Sequence, residues 1–267
     1  MTTMTTSSGV EIAFEEFGDP EAPAVLFIRG TGAAGNRWMP QVESYKSTYR
    51  CITFDNRGAG ASSSPPPPYS VADMALDTIE LMDHLGLASA HLSGSSLGGA
   101  IAMQIAAMHR NRVDSLQVHS SWLATDQYAG YSLNLLRTLL VTGGVEFYYE
   151  ATIPLLFSPS FLTGSYDKLH GILEGMRAHA ATYDGLLGQI EANLSHDGRR
   201  AAAELAVPTL VTVGESDLLL PVSESLRVHE AIPGSSFHVF PGGGHLVSME
   251  SSDDFNSVTL NWLTANS

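Results

Sequence analysis

An α/β domain with a mainly parallel sheet, helices on both faces and one helical insertion is the fold class this sequence predicts. Three observations predict it. Short, compact apolar runs alternate with longer stretches of helical periodicity; a tight strand-to-helix turn stands at Gly94-Ser95-Ser96-Leu97-Gly98; and from about Trp122 to Arg200 only helical patterns follow one another. A chain of 267 residues could hold one large α/β domain or two small ones, and the regular alternation favours one.

Val10 to Phe17 alternates like an antiparallel strand with one wet face, and Gly18-Asp19-Pro20 ends it. Ala24 to Ile28 and Cys51 to Phe54 are continuous apolar runs, as expected of strands buried on both faces of a parallel sheet. A helix is expected between them, around Met39 to Ser47. Gly58 to Pro68, rich in glycine, serine and proline, reads as a surface loop with a short polyproline stretch. The next helix runs from about Val71 to Leu87, with Ser70 as N-cap and Gly86 near its end. A strand-like run, Ser89 to Ser93, then leads into the turn, with helix-like Gly99 to Met108 after it, and Val113 to Ser120 reads as the next central strand. Helical patterns follow at Tyr131 to Val141, Val145 to Leu156, Tyr166 to His179 and Tyr183 to Leu194. Strand signals return at Pro208 to Gly214 and Ser236 to Phe240 around a helix near Ser223 to Ala231, and a last helix spans about Asp253 to Ala265.

The turn carries the chemistry. A serine hydroxyl becomes a useful nucleophile when a sharp strand-to-helix turn holds it away from its own backbone and offers it to a base. With Ser96 at the apex, the positions two before and two after are Gly94 and Gly98, where a side chain would collide in so tight a turn; with Ser95 one of them would be Leu97, and that frame is rejected. The pentapeptide alone is a weak signal. Two later residues strengthen it: Asp217 ends the β-rich run opening at Pro208, and His245 follows the run ending at Phe240. The imidazole would take the serine proton, and the carboxylate would fix its tautomer and steady its charge. Glu215 lies on the same side of its strand as Asp217 but farther from the loop, and Asp126 is a more remote substitute.

Composition narrows the function. A formal charge of −15 argues against nucleic-acid partners and anionic membranes. Cys51 is the single cysteine and falls in an apolar run, so it reads as a core thiol, and no internal disulfide or cysteine-rich metal site is possible. Met1 to Ser8 lacks the basic and apolar regions of a signal peptide, and no apolar stretch is long enough to span a bilayer, so a soluble cytoplasmic protein is expected. The glycine-rich stretch Gly30 to Gly35 lacks both dinucleotide spacing and a P-loop lysine. Arg57 reads as a turn anchor. His119, at the end of its strand, either lines the pocket or is a hydrogen-bonded core histidine.

From about residue 10 to 265 the chain resembles the α/β-hydrolase superfamily. The resemblance rests on Gly94 to Gly98, Gly214-Glu215-Ser216-Asp217, Gly243-Gly244-His245, and Asp55-Asn56-Arg57-Gly58-Ala59-Gly60-Ala61-Ser62. The modest length and helical lid resemble the group of 3-oxoadipate enol-lactonases, small carboxylesterases, proline iminopeptidases and C–C hydrolases. The resemblance implies an eight-stranded, mainly parallel sheet with a lid inserted after strand 6. Residues 1–121 and 201–267 would then form the core domain and 122–200 the cap. It also implies an oxyanion hole made by the N–H groups of Thr31 and Leu97. Arg29 departs from the family, which usually has histidine there, and reads as a loop anchor or, alternatively, as a clamp for a substrate carboxylate. Leu246 stands where C–C hydrolases typically have tryptophan, and a serine at residue 96 excludes the dehalogenase and epoxide hydrolase chemistries, which use a carboxylate there.

The expected activity is cofactor-free, metal-free hydrolysis of a small ester or lactone by Ser96, His245 and Asp217. Arg29, Gly30, His119, Trp122 and Leu246 are its candidate pocket residues. A C–C hydrolase, a natural-product tailoring enzyme and a non-catalytic small-molecule receptor on the same fold are the alternatives.

Overall fold

The strands are β1 (Thr2–Thr5), β2 (Glu11–Phe17), β3 (Ala24–Ile28), β4 (Arg50–Phe54), β5 (Ala90–Ser95), β6 (Val113–His119), β7 (Thr209–Gly214) and β8 (Ser236–Phe240). In this computed structural model, which describes residues 1–266 and their side chains except at 166–168, they form one sheet in the order β1-β2-β4-β3-β5-β6-β7-β8. β2 pairs antiparallel with β1 and β4, and every pairing from β4 through β8 is parallel.

The continuous apolar strands follow from burial on both faces. Side chains alternate across a strand. In β3, Leu26 and Ile28 join a core with Met74 and Met82 of α2 (Val71–His84) and Ile101 of α3 (Leu97–Met108). Val25 and Phe27 face the other way, onto Val42 and Tyr45 of α1 (Met39–Tyr45) and Phe255 and Leu263 of α11 (Ser252–Ala265). The Cys51 thiol lies in this second core, where burial pushes its pKa up to about 12. α2 begins at the expected cap: the Ser70 hydroxyl accepts from Asp73 N–H while the Asp73 carboxylate accepts from Ser70 N–H.

Between β6 and β7 lie α4 (Gln127–Leu156), α5 (Pro159–Gly164), α6 (Tyr166–Ala178), α7 (Tyr183–Ser195) and α8 (Arg199–Glu204). The two helices expected over 131–156 are the two arms of α4, which meet at a kink where Gly144 is non-helical, with φ 74° and ψ −172°. Helix α9 (Val222–Ala231) separates β7 from β8, and the short α10 (Val247–Glu250) precedes α11. Strand β1, α5, α8 and α10 are additions to the sequence expectation. Among the described residues no helix is long and apolar enough to cross a membrane.

The parallel register assembles one edge of the sheet. Ile28 pairs with Gly94, Ser95 with His119, His119 with Thr212, and Gly214 with Phe240. The carboxyl ends of β3, β5, β6, β7 and β8 are therefore level, and the loops leaving them converge where open α/β sheets bind ligands.

Candidate active site

Ser96 leaves β5 at φ 55°, ψ −119°, a backbone conformation that costs an L-residue about 1–3 kcal/mol. The surroundings hold it there. Its N–H donates to His119 C=O at 2.8 Å, and its own C=O accepts from Ser121 Oγ and Gly99 N–H at 2.9 Å each. The flanking glycines are obligatory: a Cβ on Gly94 would lie 2.2 Å from Gly98 C=O, and one on Gly98 would lie 2.1 Å from Ile28 C=O.

Across the sheet edge, His245 Nδ1 donates to Asp217 Oδ2 at 2.8 Å, and both residues are buried. Asp217 Oδ1 accepts from the N–H groups of Leu219 and Leu220 at 3.0 and 2.9 Å, so its orientation is fixed by the loop that follows β7. His245 and Ser96 line the same cavity without a direct hydrogen bond; such bonds are often long before substrate closes them. Glu215 is exposed and accepts from Gly242 N–H, whereas Asp126 is paired with Arg199 and Arg227, so neither faces the imidazole.

Gly30, Thr31 and Gly32 form the opposite wall. Among the described residues, the N–H groups of Thr31 and Leu97 have no acceptor. The loop is braced from the inserted helices. Tyr149 Oη donates to Gly32 C=O at 2.8 Å, Gln189 Oε1 accepts from Gly32 N–H at 2.7 Å, and Asn193 Nδ2 donates to Thr31 Oγ1 at 2.8 Å. Glu250 performs a similar role for the histidine turn, accepting from Ser158 N–H and Oγ at 2.8 and 2.7 Å and from Gly244 N–H at 3.2 Å.

The cavity, counted together with the solvent-open space at its mouth, spans about 860 Å³. Arg29, Gly30, Thr31, Ser96, His245 and Leu246 line it, with Leu133, Leu136, Tyr148, Tyr149, Leu156 and Met176 from the inserted helices. His119 and Trp122 do not, which corrects their assignment to the pocket. The His119 ring is enclosed by Ser93 Oγ at 3.1 Å, Thr212 Oγ1 at 2.8 Å and the Phe255 ring, and burial followed by the Arg29 charge lowers its pKa to about 3. Trp122 is wholly buried against the His196 ring and donates its indole N–H to Thr125. Arg29 contributes to the wall while its guanidinium is buried against the Trp38 ring, 4.6 Å from its centroid. Arg57 pairs with Asp77 through two bonds of 2.6 and 2.7 Å and holds its loop to α2.

The sequence reading missed Arg37, which lines the cavity, and the bracing residues Tyr149, Gln189 and Glu250. Their roles depend on packing between distant segments. A polar residue inside an amphipathic helix, such as Gln189 in α7, was the one available signal for them. Among the described residues no cluster of three His, Cys, Asp or Glu side chains is suited to a metal ion.

Residues 23–252 match the family described as alpha/beta hydrolase fold. The chain is 31% identical over 245 residues to RutD of Serratia proteamaculans (strain 568), provisionally named a carbamate hydrolase, covering 91% of this chain and 92% of that protein. Among solved structures, a thermophilic esterase from Thermogutta terrifontis, with malate bound, superimposes with a TM-score of 0.87 at 27% identity, covering 99% and 98% of the two chains. The enol-lactonase of Burkholderia xenovorans LB400 shares the fold, with a TM-score of 0.88 at 24% identity over 98% and 100% of the two chains.

Proposed function

The chain belongs to the alpha/beta hydrolase fold family and is a hydrolase, and from that premise we propose that it cleaves a small carboxylic ester or lactone through a Ser96–His245–Asp217 triad. One observation carries this reading: a serine held at φ 55° on the wall of the cavity that also exposes the Asp217-bonded imidazole.

Ser96 Oγ attacks the carbonyl carbon as its proton passes to His245 Nε2. The electron pair of the C=O bond moves onto oxygen, and the N–H groups of Thr31 and Leu97 stabilise that oxyanion; removal of one such donor typically costs about 3 kcal/mol. Collapse of the intermediate breaks the bond to the leaving alkoxide, which takes the proton from His245, and an acyl-enzyme remains. Water, deprotonated by the same imidazole, then attacks the acyl carbon, and Ser96 departs with the proton. Asp217 keeps the proton on Nδ1 throughout and balances the imidazolium. Residues 122–200 act as a cap over a core formed by 1–121 and 201–267, selecting substrates and excluding water.

A carbamate is a second substrate class, favoured by the resemblance to RutD, and the same steps apply with a carbamoyl group on Ser96. Time-resolved hydrolysis of p-nitrophenyl acetate and butyrate, simple lactones and phenyl carbamate, with Ser96→Ala in parallel, tests both. Multiple turnover by the wild type and its loss in the variant are expected; a variant that keeps the rate overturns the site. Saturable binding of these compounds without turnover would identify a receptor instead.

A further inference from the structure

The cavity has a charge that the rest of the chain does not suggest. The protein carries 28 acidic against 13 basic residues, yet the lining includes Arg29 and Arg37 and, among the described residues, no Asp or Glu. Among the described residues neither guanidinium has a carboxylate partner. Arg37 is half-buried and its guanidinium makes no ion pair or hydrogen bond among the described residues; its terminal nitrogens approach Gly175 of α6, where a Cβ would stand 3.5 Å from Nη2. Arg29 is 2% exposed, its Nε and Nη1 are without acceptors, and its Nη2 meets only Met249 Sδ at 3.6 Å.

Two unneutralised cations beside each other are costly unless something negative shares their field. Burial, with the Arg37 charge second, lowers the Arg29 pKa to about 9, and burial lowers that of Arg37 as well, opposed only by Tyr149 and, among the described residues, by no carboxylate. Arg57, by contrast, has Asp77 at 2.6 Å. Arg37 follows the Gly30–Gly32 loop in sequence, and it shares the cavity wall with Ser96. A ligand whose reacting carbonyl lies at Ser96 therefore has an unoccupied planar fork within the same chamber.

We propose that Arg37 is the docking point for a carboxylate on the substrate, with Arg29 reinforcing the field from beneath, so that the preferred substrates are small esters, lactones or carbamates of an acid bearing a second, free carboxylate. This deepens the hydrolase reading above and rests on it for the position of the reacting carbonyl. A carboxylate suits the site better than a phosphate because one guanidinium is accessible and the remaining walls are largely apolar, from Leu133, Leu136, Leu156 and Met176. A phosphate dianion would need further donors.

The test compares mono-p-nitrophenyl glutarate with p-nitrophenyl valerate, subtracting the rate of Ser96→Ala at each concentration. The wild type should show a kcat/KM about 10- to 100-fold higher for the glutarate ester, as expected for a charge-assisted bond formed only by the acid. In Arg37→Gln the ratio of the two kcat/KM values should fall towards one, and its melting temperature reports folding. Equal rates in the wild type, or a preference that survives Arg37→Gln, overturn the proposal. Calorimetry of monomethyl glutarate on Ser96→Ala should give binding that Arg37→Gln weakens by about 10-fold or more; no binding overturns the proposal. Arg37-dependent binding without wild-type turnover would sustain the anion site while the serine hydrolase reading fell. Inorganic phosphate competing as well as glutarate would overturn the choice of a carboxylate.

Discussion

At the scale of single residues, Asp217 offers the sharpest prediction because its two oxygens are committed differently. Oδ1 accepts from Leu219 and Leu220 N–H, and Oδ2 accepts from His245 Nδ1. In Asp217→Asn the two backbone donors should retain the oxygen, which turns the NH2 group towards the imidazole. Nδ1 must then accept, the ring proton moves to Nε2, and the base can no longer receive the serine proton. A fall in kcat of about 10³- to 10⁴-fold is expected, with little change in thermal stability. Unchanged kinetics would remove Asp217 from the mechanism. Gly98→Ala should fail differently: its Cβ would lie 2.1 Å from Ile28 C=O, so the elbow must part from β3, at a cost of about 1–3 kcal/mol or more in urea unfolding. The glycine pattern around Ser96 is legible in the sequence because sterics act over two residues. Arg37 is not, because its place in the cavity wall depends on an inserted helix, more than a hundred residues away, packing beside it.

Between elements, the hydrogen bonds joining the inserted helices to the oxyanion loop give the cap a role beyond covering the cavity. Tyr149 Oη of α4 donates to Gly32 C=O and accepts from Ala181 N–H at 3.1 Å. Burial raises the phenol pKa, so it stays a donor across the working pH range. Tyr149→Phe leaves both backbone groups without that partner and loosens the residue next to Thr31. We expect kcat to fall by about 10- to 100-fold with KM changing less, measured on the best p-nitrophenyl ester. An unaltered kcat would mean that the loop holds its shape without the brace. Elements differ in how openly the sequence declares them. β3 is bounded as its apolar run predicts, since a strand covered on both faces needs unbroken hydrophobicity, whereas the edge strand β8, with Ser236 and His238 in its run, is half-buried over most of its length. β1, Thr-Thr-Met-Thr, buries only Met4 and carries no such signal. The glycines at 143 and 144 suggest two helices, and the chain does break there, Gly144 taking a positive φ that kinks α4 into two arms.

For the whole molecule, buried neutral histidines set the acid limit of stability. His119 ties β6 to β5 and β7 through Ser93 and Thr212, and burial lowers its pKa from 6.5 to about 3. His196, buried against Trp122, is lowered from 6.5 to about 4 by the same cause. Above pH 6.5 both rings are neutral whether the chain is folded or not, and neither changes the balance. Below it the unfolded chain takes up a proton at each ring while the folded chain does not, so stability falls with pH until the folded pKa is reached. Each ring contributes a slope of about 1.4 kcal/mol per pH unit within its window. Relief of the −15 net charge acts in the opposite direction, so the decisive quantity is the difference between proteins. In urea unfolding between pH 7 and 5, the wild type should lose more stability than His119→Gln, although the variant starts from a lower value. Parallel stability curves for the two proteins would show that His119 is protonated to the same extent in the folded and unfolded states, and that the sheet's acid sensitivity arises elsewhere.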